Sequence, residues 1–322
     1  MCYYMDFDTP QEAGLMQEPT QKTGRKTGHG QDSGIKLSFE LFPPKTEQGL
    51  RNLDVTVDRL AALKPEYFSV TYGAGGTTRD RTRGVVTRVA RRTGLPVAHH
   101  LTCVNASRAE VEEQARELWA AGVRRLVALR GDPPDGTVFA PRPDGYPCAA
   151  DLVAALKAIG DFDIRVACHP EVHPDAVSAD SDLENLKRKF DAGATRAITQ
   201  YCFDTDRILR FVDEARARGI DKPIIPGIMP VFHVAGLKRF SEKCGATVPD
   251  WLADMFDRLD DDPATRAMVA TAVATEQCTR LIGAGFDEFH VYALNRADLS
   301  VALARSLGVR DAAPAQVAVS AA

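Results

Sequence analysis

Between residues 36 and 307, β-prone apolar runs alternate with helix-patterned stretches, which restricts the chain to parallel strands joined by crossover helices. The strand-like runs stand at 36–41, 67–72, 96–102, 125–129, 164–168, 196–202, 223–228 and 288–294. Helical periodicity is found between them at 48–63, 79–92, 108–121, 150–159, 182–192 and 205–218, then at 236–244, 251–259, 265–283 and 298–307. Eight such units fit an α/β fold consisting of a single (β/α)8 TIM barrel, typically about 250 residues. The surplus forms a long helical insertion between strands seven and eight. A doubly wound open sheet is the alternative. Residues 1–34 lack either period and read as a flexible N-terminal tail, 35–310 as the barrel, and 311–322 as an Ala-rich C-terminal tail.

The first strand carries an anomaly. In Leu37-Ser38-Phe39-Glu40-Leu41-Phe42 a carboxylate interrupts an apolar run, and burying it costs several kcal/mol unless it is partnered or protonated. Period-2 alternation puts Ser38, Glu40 and Phe42 on one face, and Pro43-Pro44 ends the strand just beyond. Glu40 therefore stands near a strand's carboxyl end, where barrels collect their active sites. The other ends supply Thr71, His100 with Thr102, Asp132 after Arg130-Gly131, His169, Gln200, and Tyr292 with Asn295 and Arg296. One polar residue at such a place is commonly a helix cap. Polar residues at seven of eight ends imply a sizeable polar ligand held by many donors and acceptors.

Bulk properties narrow the class. A net charge of −4 and a pI near 6.0 argue against a dedicated nucleic-acid binder, and the arginines of 79–92 read as a solvated helix face. No apolar run is long enough to span a membrane and no signal-peptide core opens the chain, so a cytoplasmic location is expected. The seven cysteines form no C-x-x-C pair and read as reduced thiols packed among apolar groups.

Several signatures are missing. There is no P-loop, and Gly73-Ala74-Gly75-Gly76 has Thr78 where a dinucleotide fingerprint needs its third glycine. His169 and His173 have zinc-pair spacing, but Pro170 and Pro174 oppose the helix that would align them, and no metal is expected. Asp260-Asp261-Asp262-Pro263 reads as helix capping.

Taken together, Ser38-Phe39-Glu40 through Pro43-Pro44, Ser69-Val70-Thr71-Tyr72-Gly73-Ala74, His100-Leu101-Thr102-Cys103, Ala128-Leu129-Arg130-Gly131-Asp132, Pro170-Glu171-Val172-His173-Pro174 and Ala197-Ile198-Thr199-Gln200 resemble bacterial methylenetetrahydrofolate reductases. Asn185-Leu186-Lys187-Arg188-Lys189 and Leu294-Asn295-Arg296-Ala297 extend the resemblance, which runs from about residue 36 to 310. It implies a (β/α)8 flavoprotein that passes hydride from NADH or NADPH to FAD. Reduced flavin then passes it to 5,10-methylenetetrahydrofolate, giving 5-methyltetrahydrofolate for one-carbon metabolism and methionine biosynthesis.

The resemblance assigns catalysis to Glu40 as proton donor, its carboxyl pKa expected to be raised by desolvation, and to Asp132 beside flavin and folate. It assigns FAD to Thr71, His100, Arg130, Gly131, Asp132, His169, His173, Asp182, Asn185 and Lys189, with Arg130 and Lys189 suited to the pyrophosphate. Folate falls to Glu40, Gln200, Phe232, Tyr292 and Arg296. His169 stands where the family often has tyrosine. An aromatic that stacks on nicotinamide or pterin in known members aligns with Val234, and Phe232 lies two residues earlier. NADH against NADPH, a protein electron donor and net operation in the oxidative direction therefore stay open. Homo-oligomerisation is implied by the resemblance alone. The alternatives are another barrel flavoprotein, such as a proline dehydrogenase-like oxidase, and a non-catalytic folate-binding barrel.

Overall fold

A computed structural model describes residues 33–73, 78–133, 137 and 139–311. The sequence readings of residues 1–32, 74–77 and 312–322 lie outside the described residues. The chain runs β1 (Lys36–Leu41), α1 (Glu47–Ala61), β2 (Tyr67–Val70), α2 (Arg79–Thr93), β3 (Val97–Thr102), α3 (Arg108–Ala120), β4 (Arg125–Leu129), α4 (Ala149–Ile159), β5 (Asp163–Cys168), α5 (Ala179–Asp191), β6 (Arg196–Thr199) and α6 (Thr205–Ala217). It continues through β7 (Ile224–Ile225), β8 (Gly227–Ile228), α7 (Val234–Cys244), α8 (Asp250–Met255), α9 (Pro263–Gly283), β9 (Glu288–Tyr292) and α10 (Asp298–Ser306). All pairings are parallel, in the order β7-β6-β5-β4-β3-β2-β1-β9-β8. This is a (β/α)8 barrel, not an open sheet.

The seventh stave differs from the continuous strand expected at 223–228. Proline has no N–H to give to a ladder, and Pro226 splits the run. Ile224 and Ile225 pair with β6, whereas Gly227 and Ile228 pair with β9, so the chain itself bridges the ring at Pro226. Pro226 still accepts a hydrogen bond from the His290 N–H at 2.9 Å. Gly227 sits where a Cβ would lie 2.3 Å from the Thr199 carbonyl oxygen and 2.7 Å from the Tyr292 ring.

Alternation sorts each strand between two environments. Leu37, Phe39 and Leu41 pack outward with Leu53, Val57 and Leu60 of α1. Their neighbours Ser38 and Glu40 point inward, meeting residues of β2, β3 and β9. The interior holds a small apolar cluster of Tyr67, Ala98, Val127 and Leu129. Arg165 lies beneath it, its guanidinium 4.1 Å from the Tyr67 ring centre and 2.8 Å from Asp163.

Helix ends follow ordinary capping chemistry. Ser107 and Glu110 form a reciprocal box at α3, and Asp262 accepts from the Thr265 N–H ahead of Pro263 at the start of α9. The arginine face of α2 is solvated and paired, with Arg88 to Asp54 and Arg92 to Asp58 each at 2.5 Å. Such exposed pairs contribute about 0–1 kcal/mol each. Five cysteines, 103, 148, 168, 202 and 278, are free thiols, and burial pushes those of Cys103, Cys202 and Cys278 up to about 12. Cys244 is in a disulfide, a departure from the all-reduced expectation. Among the described residues, no helix is long and apolar enough to cross a membrane.

Two outcomes are expected. His99, on the outer side of β3 against Tyr72, is fully buried with neither ring nitrogen hydrogen-bonded, and burial pulls its pKa down to about 4. As pH falls from about 6.5 to about 4 the unfolded chain takes up a proton at this site that the folded chain refuses. Stability is therefore lost across that window, by up to about 3 kcal/mol. Denaturant titrations at pH 7 and pH 4 should show a smaller acid loss in His99→Phe; an identical loss would refute the assignment. Gly227→Ala should cost about 3 kcal/mol in the same assay, because backbone and a fixed ring receive the methyl group; a cost below about 1 kcal/mol would contradict the packing.

Candidate active site

Strand order brings β1, β3 and β9 close enough for three side chains to converge. Glu40 Oε2 lies 3.6 Å from His100 Nε2 and 3.6 Å from His290 Nε2. The Glu40 side chain is 13% exposed, while the two imidazoles are 1% and 0% exposed. Glu40 is thus more open than its strand neighbours Phe39 and Leu41, and the histidines supply the dry wall. Neither Glu40 Oε2 nor His100 Nε2 has a hydrogen-bond partner. Burial, followed by the proximity of His290 and His99, holds the His100 ring well below its ordinary pKa. His100 is consequently an uncharged neighbour at neutral pH, and its contact with Glu40 is not an ion pair.

The second imidazole is anchored from behind. His290 Nδ1 is 2.7 Å from Ser38 Oγ and 3.4 Å from the Tyr67 hydroxyl, and the Tyr67 ring stacks on it at 5.8 Å. Tyr292 meets the His290 ring edge-on at 5.6 Å and donates its hydroxyl to the Thr199 carbonyl at 2.8 Å. Burial, then the nearby Glu40, raises the Tyr292 phenol well above its usual range, so it stays a donor. Gln200 is fixed beside Thr199, its N–H on the Cys168 carbonyl and its Oε1 accepting from the Tyr201 N–H.

At the end of β4, Gly131 has φ +82°, and a Cβ there would lie 2.5 Å from Val104 Cγ1. Only glycine fits this turn without strain. The Arg130 carbonyl accepts from the Cys103 and Val104 N–H groups, fastening the β3 and β4 mouths together. The Arg130 guanidinium reaches Asp132 at 3.2 Å and Asp175 at 2.7 Å and covers Phe139 at 4.6 Å. Thr71 holds the β1 and β2 ends in register, its N–H donating to the Leu41 carbonyl.

The β5 mouth is tightly turned, with Val172 at φ +73°. His169 and His173 pack edge to face at 4.6 Å, and His173 Nδ1 accepts from the Asp175 N–H. Asp182 accepts from the His173 N–H, and Asn185 accepts from Arg188 one turn along α5. Lys189 is buried with its ammonium on the Ala167 carbonyl at 2.7 Å, which leaves Arg130 as the more accessible cation of the pair read as pyrophosphate partners. Thr102 Oγ1 and His169 Nδ1, buried at the β3 and β5 mouths, have no hydrogen-bond partner.

Across the mouth, the Arg296 guanidinium sits 5.2 Å over the Phe232 ring, with burial lowering the arginine's pKa. Val234, by contrast, is the first residue of α7. Asn295 clamps Phe42, accepting from its N–H at 3.0 Å and donating to its carbonyl at 2.9 Å, so it joins two strand ends. His290 and Ser38 were not singled out from the sequence. The signal was available, since Glu288-Phe289-His290-Val291-Tyr292 places His290 on the same strand face as Tyr292.

Comparison with known proteins gives the same picture. The family model described as methylenetetrahydrofolate reductase matches residues 27–308. A protein of Pectobacterium carotovorum subsp. carotovorum named 5,10-methylenetetrahydrofolate reductase is 48% identical over 305 residues, covering 94% of this chain and 97% of its own. One of the same name from Escherichia coli K12 is 49% identical over 276 residues, 86% of this chain and 92% of its own. In fold, the chain is similar to a Clostridium thermocellum protein described as binding two copies of 5-methyl-5,6,7,8-tetrahydrofolic acid, with a TM-score of 0.58 at 12% identity over 85% of this chain and 94% of the other. The full-length matches to reductases, on a barrel whose inward acid stands at the strand ends, show that the chain belongs to the methylenetetrahydrofolate reductase family.

Proposed function

We propose that the protein reduces the methylene bridge of 5,10-methylenetetrahydrofolate to a methyl group, using FAD held at the carboxyl end of the barrel and refilled by NADH or NADPH. The observation that carries this reading is Glu40 Oε2, an unpartnered carboxylate oxygen facing two buried imidazoles. Family membership supplies the substrate class. We place its action in the cytoplasm, in a homo-oligomer.

The mouth fits a flavin. Thr102 Oγ1 and His169 Nδ1 are buried polar atoms lacking partners, and Gly131 leaves a backbone surface that a side chain would fill. Thr71, His100, Arg130, Gly131, Asp132, His169, His173, Asp182, Asn185 and Lys189 would hold the group, with Arg130 the accessible cation for the phosphates. FAD, when bound, supplies a two-electron carrier of hydride.

The chain's own residues provide the proton chemistry. A methylene bridge between two nitrogens is a poor hydride acceptor until one nitrogen is protonated and the bridge opens to an iminium ion. Glu40 donates that proton. His100, uncharged, adds no positive charge beside the developing cation. Asp132 contributes negative charge that favours the cation and opposes accumulation of negative charge on a reduced flavin. Gln200 and Tyr292 orient the pterin, and Phe232, steadied by Arg296, takes the stacking role.

Purified protein should be yellow. Under anaerobic conditions NADH or NADPH should bleach it and methylenetetrahydrofolate should restore the colour, while proline-derived substrates should not; colourless protein unable to bind added FAD would overturn the reading. Glu40→Gln should slow folate reduction by about 10²- to 10⁴-fold while reduction of the flavin by its donor survives. Normal folate turnover by that variant would remove Glu40 from the mechanism. Asp132→Asn should raise the flavin midpoint potential by a few tens of mV, where about 30 mV corresponds to 1.4 kcal/mol for two electrons, and slow folate reduction. An unchanged potential would count against its place beside the flavin.

A further inference from the structure

Donating a proton leaves Glu40 a carboxylate once per turnover, so Oε2 has to be reprotonated before the next. Ligands filling the mouth would cover the 13% of the side chain that solvent reaches. The other neighbours lie inside the barrel. His100 and His290 each present Nε2 at 3.6 Å, a gap that a small side-chain movement closes to hydrogen-bond length. The two rings differ in what stands behind them. His100 Nε2 has no hydrogen-bond partner, whereas the far side of the His290 ring is engaged, its Nδ1 lying 2.7 Å from Ser38 Oγ and 3.4 Å from the Tyr67 hydroxyl.

Ser38 has two acceptors for one proton. Its Oγ is 3.4 Å from the Phe289 carbonyl as well as 2.7 Å from His290 Nδ1, and a hydroxyl donates to only one of them at a time. When it donates to Phe289, it accepts from Nδ1–H, and Nε2 offers a lone pair that suits a protonated Glu40. When it donates to Nδ1, Nε2–H points at a Glu40 carboxylate.

We propose that His290, switched by the Ser38 hydroxyl, is the proton-relay residue that recharges Glu40. The proposal rests on the reading of Glu40 as the acid. In the recharging step the Nε2–H bond breaks and an Oε2–H bond forms, Nδ1 takes the Ser38 hydroxyl proton, and Ser38 Oγ takes in the same movement the proton of the Tyr67 hydroxyl behind it. The Tyr67 oxygen regains a proton from water, the source of the one proton consumed over the cycle. No electrons move. The groups facing Glu40 and His290 are Ser38 from β1, Tyr67 and Ser69 from β2, His100 from β3 and Tyr292 from β9, with Arg165 and its partner Asp163 beyond Tyr67.

Two readouts test it. In ¹⁵N-histidine spectra of the intact protein, the His290 signal, assigned by its loss in His290→Gln, should change tautomer with pH in the wild type and stay fixed in Glu40→Gln. A tautomer that is the same at every pH in both would overturn the relay. In the second, flavin-loaded protein reduced with dithionite is mixed with methylenetetrahydrofolate, so that donor identity does not enter. Ser38→Ala, the smaller change, and His290→Gln should each slow flavin reoxidation about 10-fold or more and displace the pH midpoint of the rate by about half a unit or more. Slower reoxidation with an unmoved pH profile would mark a structural role only, and wild-type rates in both variants would also overturn the relay. Those results would leave the acid in place if Glu40→Gln is slow; wild-type reoxidation by Glu40→Gln would instead remove the acid itself.

Discussion

A closed ring of parallel strands gives every second residue an inward direction with little water, and Glu40 must find its electrostatic partners there. Desolvation penalises an isolated carboxylate heavily. In this barrel the groups around it are imidazoles and hydroxyls rather than cations: His100 and His290 at 3.6 Å, with Ser38, Tyr67 and Tyr292 around the second ring. None of these groups carries the permanent positive charge of a guanidinium, which would hold a neighbouring carboxyl as a carboxylate.

The architecture separates two electrostatic regimes. Arg165 and Asp163 meet beneath Tyr67 as a full ion pair, whereas the Glu40 layer above is supported by neutral groups such as His100. At the mouth charge returns with Arg130, Asp132 and Asp175. That ordering suits a ligand whose charged phosphates stay near the rim while a proton and a hydride move in the interior.

Much of this was legible in the sequence, for local reasons. β1 has the bounds its pattern implied, because strict alternation and Pro43-Pro44 specify both face and end. Arg125–Leu129 is likewise bounded as read. The seventh stave was misread because a short apolar run hides a pairing switch; Pro226 divides it between two neighbours, a property of ring closure rather than local pattern. Lys189 shows the limit of reading charge alone, since only the packed structure turns its ammonium onto the Ala167 carbonyl. Asn295, at a strand end, reads as a ligand-facing group but clamps Phe42. His290 lies within its strand, and inspection of strand ends passed over it. The Glu40–His290 contact crosses most of the chain, so its partner emerges only when β1 and β9 pair.

The central claim is that Glu40 meets the folate at the nitrogen that leaves the methylene bridge. A crystal structure of the FAD-loaded protein with 5-methyltetrahydrofolate tests it most directly. The account predicts a Glu40 carboxylate oxygen about 2.6–3.2 Å from that nitrogen, or joined to it through one water. A pterin bound at the flavin with Glu40 turned away, and no water bridging the gap, would contradict it.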